Sequence, residues 1–208
     1  MLRLYDFHES GNAYKVRLLL SQLDEEFERV DIDILDGATH TPVFLAKNPN
    51  HRIPLLELPN GRTLAESNAI LHYLARGSEL LPEDPWQHAQ ILQWQFFEQY
   101  SHEPYIAVVR FWHFAGKITE NDALLPSKMA GGYEALDVME QHLSAHDYFA
   151  ADRYTIADIS LYAYTHVAEE GKFDLGDYPA INAWLERVAA QPGHVRIEDP
   201  VGQAVDWP

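Results

Sequence analysis

The sequence predicts two domains, a small mixed α/β domain followed by an all-helical domain. Over residues 1–77, strand-like and helix-like segments follow one another in the order β-α-β-α-β-β-α. A stretch with two prolines, from Gly77 to Pro85, reads as a linker. Beyond it, apolar positions repeat at helical spacing as far as about residue 190. A β-α-β unit followed by a hairpin and a helix forms a mixed sheet, here of four strands, with helices on its faces.

The first strand and helix enclose a turn with the chemistry of an anion site. Leu2 to Phe7 is short and apolar, as in a strand, whereas Val16 to Leu23 places apolar residues on one helical face. Between them lie Ser10 and Asn12, at the start of the helix. A helix N-terminus offers unpaired N–H groups and a partial positive charge, so it suits an anion. Ser10 also has a purely structural interpretation, as a helix cap.

The other elements of the first domain follow from local patterns. Asn60-Gly61 between two short apolar runs predicts a hairpin. The remaining elements are a strand over 28–35, a short helix over 42–47, hairpin strands at 55–58 and 63–64, and a helix that opens at 66–68.

The second domain is predicted to contain helices only. Residues 86–117 form one long helix or a broken pair, with Pro104 as the cause of a kink. Further helices are expected over 127–146 and 180–190. Thr155 and Asp158 stand three apart before an apolar run, which is typical of a capping box. No helix or strand is predicted for the polar tail from Gly193 to Pro208.

Composition excludes several classes of function. The formal net charge of −17 argues against nucleic acid and against an anionic membrane surface as partners. Residues 1–80 carry eight basic against twelve acidic residues, and residues 81–208 carry seven against twenty, so the first domain is the better host for an anion. With no cysteine, disulfides, thiolate metal sites and a cysteine nucleophile are excluded. No apolar run is long enough to span a bilayer, and a cytoplasmic location is expected.

Four short motifs, in order, resemble those of cytosolic glutathione transferases of a serine-type bacterial (theta/nu-like) class. Ser10 to Asn12 lies where such enzymes keep the hydroxyl that activates the thiol. Ile53-Pro54 is similar to the family's Val/Ile-Pro with a cis proline, and Glu66-Ser67 to the pair that holds the γ-glutamyl end of glutathione. Thr155 to Asp158 matches the capping box of the second domain. The resemblance covers essentially the whole chain and implies a thioredoxin-like first domain over 1–77 and a helical domain over 86–208.

The resemblance also implies roles for individual residues. Ser10 and Asn12 would activate the thiol, and the backbone of Ile53, before Pro54, would pair with the cysteinyl backbone of glutathione. Ser67 would bind the γ-glutamyl carboxylate, beside Glu66 on the ammonium. Arg52 and His40 would hold the glycyl carboxylate. Each motif also has a simpler interpretation: Pro54 as an ordinary strand-start proline, and Glu66 and Ser67 as a helix cap with an acid in its first turn.

Two residues complicate the resemblance. His51 stands where the family usually has a glycine. Histidine tolerates positive φ better than most residues, so the turn can survive. Tyr5 is a competing thiol activator, since some classes use a tyrosine, but it lies inside the strand.

The second substrate is expected to meet the long helix of the second domain. Tyr105, Val109 and Trp112 share one stripe of that helix and are the candidate electrophile site, although such a stripe more often packs in the core. No metal is expected. The one histidine pair at i and i+4, His142 and His146, lacks the acidic pattern of a zinc site and is interpreted as solvated surface.

The predicted function is activation of the glutathione thiol for attack on a hydrophobic small molecule, a detoxification reaction with glutathione as co-substrate. A homodimer is expected from the resemblance and from the frequency of two-fold assemblies. Two alternatives stay open: glutathione-dependent reduction of peroxides or disulfides, and a non-catalytic interaction module of the same fold.

Overall fold

The structure, a computed structural model, describes residues 1–207. The chain forms two compact units, one made of Met1–Arg76 together with residues 192–207, and one made of Gly77–Gln191.

The first unit is a five-stranded sheet with helices on both faces. Its elements are β1 (Leu2–Asp6), α1 (Gly11–Gln22), β2 (Phe27–Asp31), α2 (Pro42–Lys47), β3 (Leu55–Glu57), β4 (Thr63–Ala65), α3 (Ser67–Leu74) and β5 (Gln203–Val205). The strand order is β4-β3-β1-β2-β5. β1 runs parallel to β2 and antiparallel to β3, which matches the predicted β-α-β unit and hairpin.

Alternate residues of β1 face opposite sides of the sheet and build two cores. Leu4 packs with Val16 and Leu20 of α1 and Ile70 of α3. Tyr5 points to the other face, where it packs with residues that include Phe44 of α2. The helices therefore lie where the alternation of β1 requires them, and β1 ends at the turn that carries Ser10.

The C-terminal segment corrects two predictions. The sheet has five strands and not four, because β5 pairs in parallel with the outer edge of β2. Residues 192–207 belong to the first unit and not to the second domain, which was predicted to cover 86–208. The three residues Gln203–Val205 are too few to show the alternation of apolar and polar residues that predicts a strand. The strand forms because β2 offers an unpaired edge and because Trp207 packs edge-on against Tyr5 and Phe44.

β2 is shorter than the predicted strand over 28–35. It ends at Asp31 because Asp33 accepts a hydrogen bond from the backbone N–H of Leu35 (2.7 Å), which turns the chain away from the sheet.

The second unit contains helices, as predicted. They are α4 (Pro85–Phe97), a π-helical segment (Glu98–His102), α5 (Glu103–Phe114), α6 (Leu125–Leu143), α7 (Ile156–Thr165) and α8 (Pro179–Ala189). The helix over 86–117 is thus a broken pair. Pro104, at the start of α5, has no N–H to donate to the carbonyl four residues earlier, and the π-helical segment lies directly before it. No helix within residues 1–207 combines the length and the apolar character needed to cross a membrane.

Candidate functional site

The turn between β1 and α1 places Ser10 at the N-cap of α1. Its φ and ψ of −77° and 117° are non-helical, and its Oγ accepts a hydrogen bond from the N–H of Ala13 (3.2 Å). The capping interpretation is therefore shown. Capping uses a lone pair of the oxygen, so the hydroxyl hydrogen can still be donated to an anion. Ser10 is partly exposed, and the first turn of α1 contains no acidic residue that would repel one.

Asn12 joins this turn to the start of α3. Its Oδ1 accepts a hydrogen bond from the hydroxyl of Ser67 (3.2 Å) and another from Nζ of Lys15 (2.8 Å). Residues 12 and 67 are far apart in sequence, yet the structure brings them into direct contact. The two predicted parts of the site, thiol activation and γ-glutamyl binding, are thus neighbours.

Buried charges fix the position of the turn. Arg17 of α1 forms an ion pair with Asp6 (Nε to Oδ2, 3.2 Å), and both side chains are fully buried. The same guanidinium donates to the carbonyl of His8 in the turn (2.7 Å) and to the carbonyl of Ile197 (2.9 Å). Burial raises the pKa of Asp6, while the charge of Arg17 opposes that rise. Arg17 therefore ties the turn to the strand before it and to the C-terminal segment.

The loop before β3 contains the cis proline that the resemblance implies. The Ile53–Pro54 peptide is cis, and Pro54 is buried. Within residues 1–207, neither the backbone N–H nor the carbonyl of Ile53 has a hydrogen-bond partner. Both groups can therefore pair with an extended peptide.

His51 adopts the positive φ that its position demands, 45°. The expectation that histidine can replace glycine in this turn is confirmed. The turn is held by Asn48, whose side-chain amide donates to the carbonyl of Arg52 (2.7 Å). The ring of His51 lies 4.3 Å from that of His40, centroid to centroid. His40, His51 and Arg52 are all exposed, so three side chains able to carry positive charge flank this loop.

Glu66 and Ser67 do not form a simple cap. Glu66 occupies the N-cap position of α3 without a side-chain capping bond, at φ 67°. A positive φ is uncommon for a residue other than glycine and costs on the order of 1–3 kcal/mol. Ser67 is 6% exposed, and its hydroxyl binds Asn12. The interpretation of this pair as an ordinary cap is therefore wrong.

Tyr5 is engaged away from the turn. Its hydroxyl donates to Oε2 of Glu57 on β3, which also accepts from Nζ of Lys47 (2.8 Å). The side chain is 2% exposed. The competing thiol activator is thus held by a carboxylate on the neighbouring strand.

The three candidates for the electrophile site differ in exposure. Val109 is fully buried and Trp112 is 8% exposed, so both pack in the core of the second unit. Tyr105 is partly exposed, and Nζ of Lys128 lies 5.1 Å from the centre of its ring. Tyr105 also covers Gly131, where a Cβ would approach its ring to 2.3 Å. Burial favours the core interpretation for Val109 and Trp112, and leaves Tyr105 the most accessible of the three.

The predicted surface histidine pair divides in the structure: His146, which follows α6, is exposed, whereas His142 in the last turn of α6 is partly buried. The rings of His142 and His146 stack 4.3 Å apart, but His142 also packs on Trp94, with ring centres 4.7 Å apart. His142 is partly buried, and burial lowers its pKa. It is therefore a packing residue and not solvated surface.

Two residues next to the turn were not predicted from the sequence, Lys15 and Arg17. Lys15 follows Asn12 by three positions, a spacing at which helical side chains meet, so their hydrogen bond could have been anticipated. The complete burial of Lys15 and of Arg17 could not, because it depends on elements distant in sequence.

The fold and the site define a class of protein: a thioredoxin-like unit with a cis-proline loop and a serine-capped helix start, joined to an all-helical unit. Two family models match, glutathione S-transferase N-terminal domain over residues 1–76 and C-terminal domain over residues 91–192. The chain belongs to the glutathione S-transferase family.

Similar proteins come from bacteria and plants. A glutathione S-transferase structure from Pseudomonas fluorescens is 53% identical, with a TM-score of 0.93 over 95% of this chain and 99% of that one. Glutathione S-transferase 3 of Zea mays is 32% identical over 92% of this chain and 90% of its own length. Disulfide-bond oxidoreductase YfcG of Escherichia coli is 27% identical over 92% of each.

Proposed function

We propose that this glutathione transferase binds glutathione on its first unit and activates the thiol with Ser10 and Asn12, for attack on a hydrophobic small molecule. The observation that carries the proposal is the hydrogen bond between Asn12 and Ser67. It brings the helix start suited to a thiolate into contact with the residue expected to bind the γ-glutamyl carboxylate. We also propose that the chain belongs to the serine-type class, that it is cytoplasmic and that it acts in detoxification.

The chemistry of the turn fits stabilisation of an anion. A free thiol has a pKa near 8.5, so only a small fraction is thiolate at neutral pH. The hydroxyl of Ser10 and the N-terminus of α1 favour the charged form of a sulfur placed there, which lowers its pKa. The exposed Arg52 and His40 would then receive the glycyl carboxylate, and Ile53 the cysteinyl backbone.

Binding is the first experiment. We expect isothermal titration calorimetry to detect one glutathione per chain at millimolar ligand or below. Absence of binding would remove the enzymatic proposal and favour the non-catalytic interaction module.

Tyr105→Ala then tests the electrophile site, because it should raise KM for the hydrophobic substrate and leave KM for glutathione unchanged.

A second candidate reaction is disulfide reduction, which is favoured by the similarity to an oxidoreductase. The chain has no cysteine, so both electrons would come from glutathione: two thiols reduce one disulfide and leave oxidised glutathione and two thiol products. A panel of electrophiles, peroxides and mixed disulfides separates the two reactions by the product formed.

We also propose a two-fold homodimer, as the resemblance implies and as is commonest for oligomeric chains. Light scattering at micromolar concentration should give twice the mass of the 23.8 kDa chain. The mass of one chain would contradict this.

A further inference from the structure

A lysine side chain is buried in the first turns of α1, next to the turn that carries Ser10. Lys15 is fully buried, and its Nζ donates to Oδ1 of Asn12 at 2.8 Å. Removing an ammonium from water costs several kcal/mol unless hydrogen bonds replace its hydration. A hydrogen bond from a charged donor is also about twice as strong as a neutral one. A buried charged donor beside the turn is therefore directed at Asn12.

That hydrogen bond determines which end of the Asn12 amide can meet an anion. The oxygen already accepts from two donors, Lys15 and the hydroxyl of Ser67. The amide is planar, so the –NH₂ group lies at the corner opposite the held oxygen. If the group were turned over, its oxygen would face the anion and repel it. An amide without a fixed orientation would stabilise a thiolate less, because part of its population would present the wrong end.

We propose that Lys15 is a positioning residue for thiol activation. Its buried ammonium holds the carboxamide of Asn12 so that the –NH₂ end is presented to the glutathione thiolate. The inference rests on the proposed function, and it assigns Lys15 an action through Asn12 and not by contact with the substrate. Lys15 thus differs from Arg17, which holds the backbone of the turn through the carbonyl of His8.

The test is Lys15→Met, which keeps a long unbranched side chain and removes the charge. We expect the thiol pKa of bound glutathione, read from thiolate absorbance, to rise by about 1 unit. Turnover with 1-chloro-2,4-dinitrobenzene should fall about 10-fold, since one donor loses its fixed orientation. KM for glutathione should change less than about threefold, because none of the residues expected to bind glutathione is replaced. Lys15→Arg, which keeps the charge, should recover part of the loss.

A matched control removes a different cation of the same unit. Lys47 pairs with Glu57 (2.8 Å) and does not contact Asn12. Lys47→Met should leave the thiol pKa unchanged. A rise equal to that of Lys15→Met would show a general charge effect and overturn the proposal.

A double-mutant cycle with Asn12→Ala identifies the route of the effect. If Lys15 acts through Asn12, Lys15→Met raises the thiol pKa in the wild-type background and adds nothing to Asn12→Ala. Equal rises in both backgrounds would mean direct action by the charge, and no rise in either would mean a structural role; both results overturn the proposal. Circular dichroism checks that each variant folds. If Lys15→Met does not fold, the thiol pKa is compared in the same two backgrounds with Lys15→Gln. Failure of the proposed function is distinct, because the wild-type protein would then bind no glutathione.

Discussion

Helices α1 and α7 start with the same kind of N-cap, but the groups around the two caps differ. Each follows a hydroxyl residue whose oxygen accepts a first-turn N–H, Ser10 from Ala13 and Thr155 from Ala157. In α7 the capping box is complete, because Asp158 accepts from the backbone N–H of Thr155 (2.9 Å). In α1 the first turn has no acid. The difference lies in what surrounds the cap and not in the cap itself.

Burial and acceptor count separate the two helix starts further. Asp158 is fully buried and also accepts from Nε1 of Trp184 (3.0 Å) and from the N–H of Phe149 (3.2 Å). A carboxylate therefore already occupies the N-terminus of α7, whereas Ser10 is partly exposed. A helix start that is rich in donors, partly open and free of its own acid can bind an external anion. A helix start whose N–H donors already bind a carboxylate of the same chain can only stabilise the fold.

The largest effect is expected from Asp158→Ala. It leaves the buried donors of Thr155, Phe149 and Trp184 without their acceptor, at about 1–3 kcal/mol each. We expect the free energy of unfolding to fall by at least about 4 kcal/mol in chemical denaturation. Under native conditions, the thiol pKa of bound glutathione should not change. A loss below about 1 kcal/mol would show that the saturated cap is not a main source of stability.

The same residue predicts a pH dependence. Burial raises the pKa of Asp158 from 3.8 to about 6, against hydrogen bonds that favour its charged form. Between those values the folded state holds a proton that the unfolded state has released, so stability from this group is present below pH 4 and is lost as pH rises to 6. Relative to Asp158→Asn, the wild-type free energy of unfolding should fall by about 3 kcal/mol across this window. Parallel pH profiles of the two proteins would refute the raised pKa.

Asn12→Asp gives α1 a first-turn acid and so makes it resemble α7. The new carboxylate can pair with Lys15, so folding should be kept. Its negative charge opposes a thiolate, and we expect the thiol pKa of bound glutathione to rise by about 1–2 units. Turnover should fall about 10- to 100-fold. An unchanged thiol pKa would mean that the absence of an acid in this turn is irrelevant to function.

Ser67→Ala examines the contact that joins the two parts of the open site. Removal of the hydroxyl should weaken glutathione binding by about 1–3 kcal/mol in calorimetry, the usual loss for a hydrogen bond to a charged group. Thr63→Ala is the control, because that exposed hydroxyl donates to the carbonyl of Lys47 and not to a residue of the candidate site. Equal affinities for both variants would remove Ser67 from the site.

Elements with a local cause could be predicted from the sequence. The helix over 42–47 begins at a threonine cap with proline in its first turn, and Asn60-Gly61 forms the hairpin turn. Thr155 and Asp158 form the predicted capping box. In each case the determining residues are neighbours in the chain, so a short pattern is sufficient.

Features with a distant cause could not be predicted. β5 exists because β2 has a free edge and because Tyr14 and Arg17 of α1 bind the carbonyls of Val195 and Ile197. Its own residues are too few to show a period. In the site, the residue types were evident from the sequence, but the contact between Asn12 and Ser67 spans 55 positions. The orientation of Asn12 by a buried lysine also required the structure.

The central claim is that the open start of α1 stabilises a thiolate through Ser10. The most direct measurement is the thiol pKa of bound glutathione, read from thiolate absorbance against pH in the wild-type protein and in Ser10→Ala. The account predicts a wild-type pKa below the ordinary value near 8.5, a rise of about 1 unit or more in Ser10→Ala, and a fall in turnover of about 10- to 1000-fold with glutathione affinity nearly intact. An unchanged thiol pKa and full turnover in Ser10→Ala, with both lost in Asn12→Ala, would show that Ser10 is only a cap.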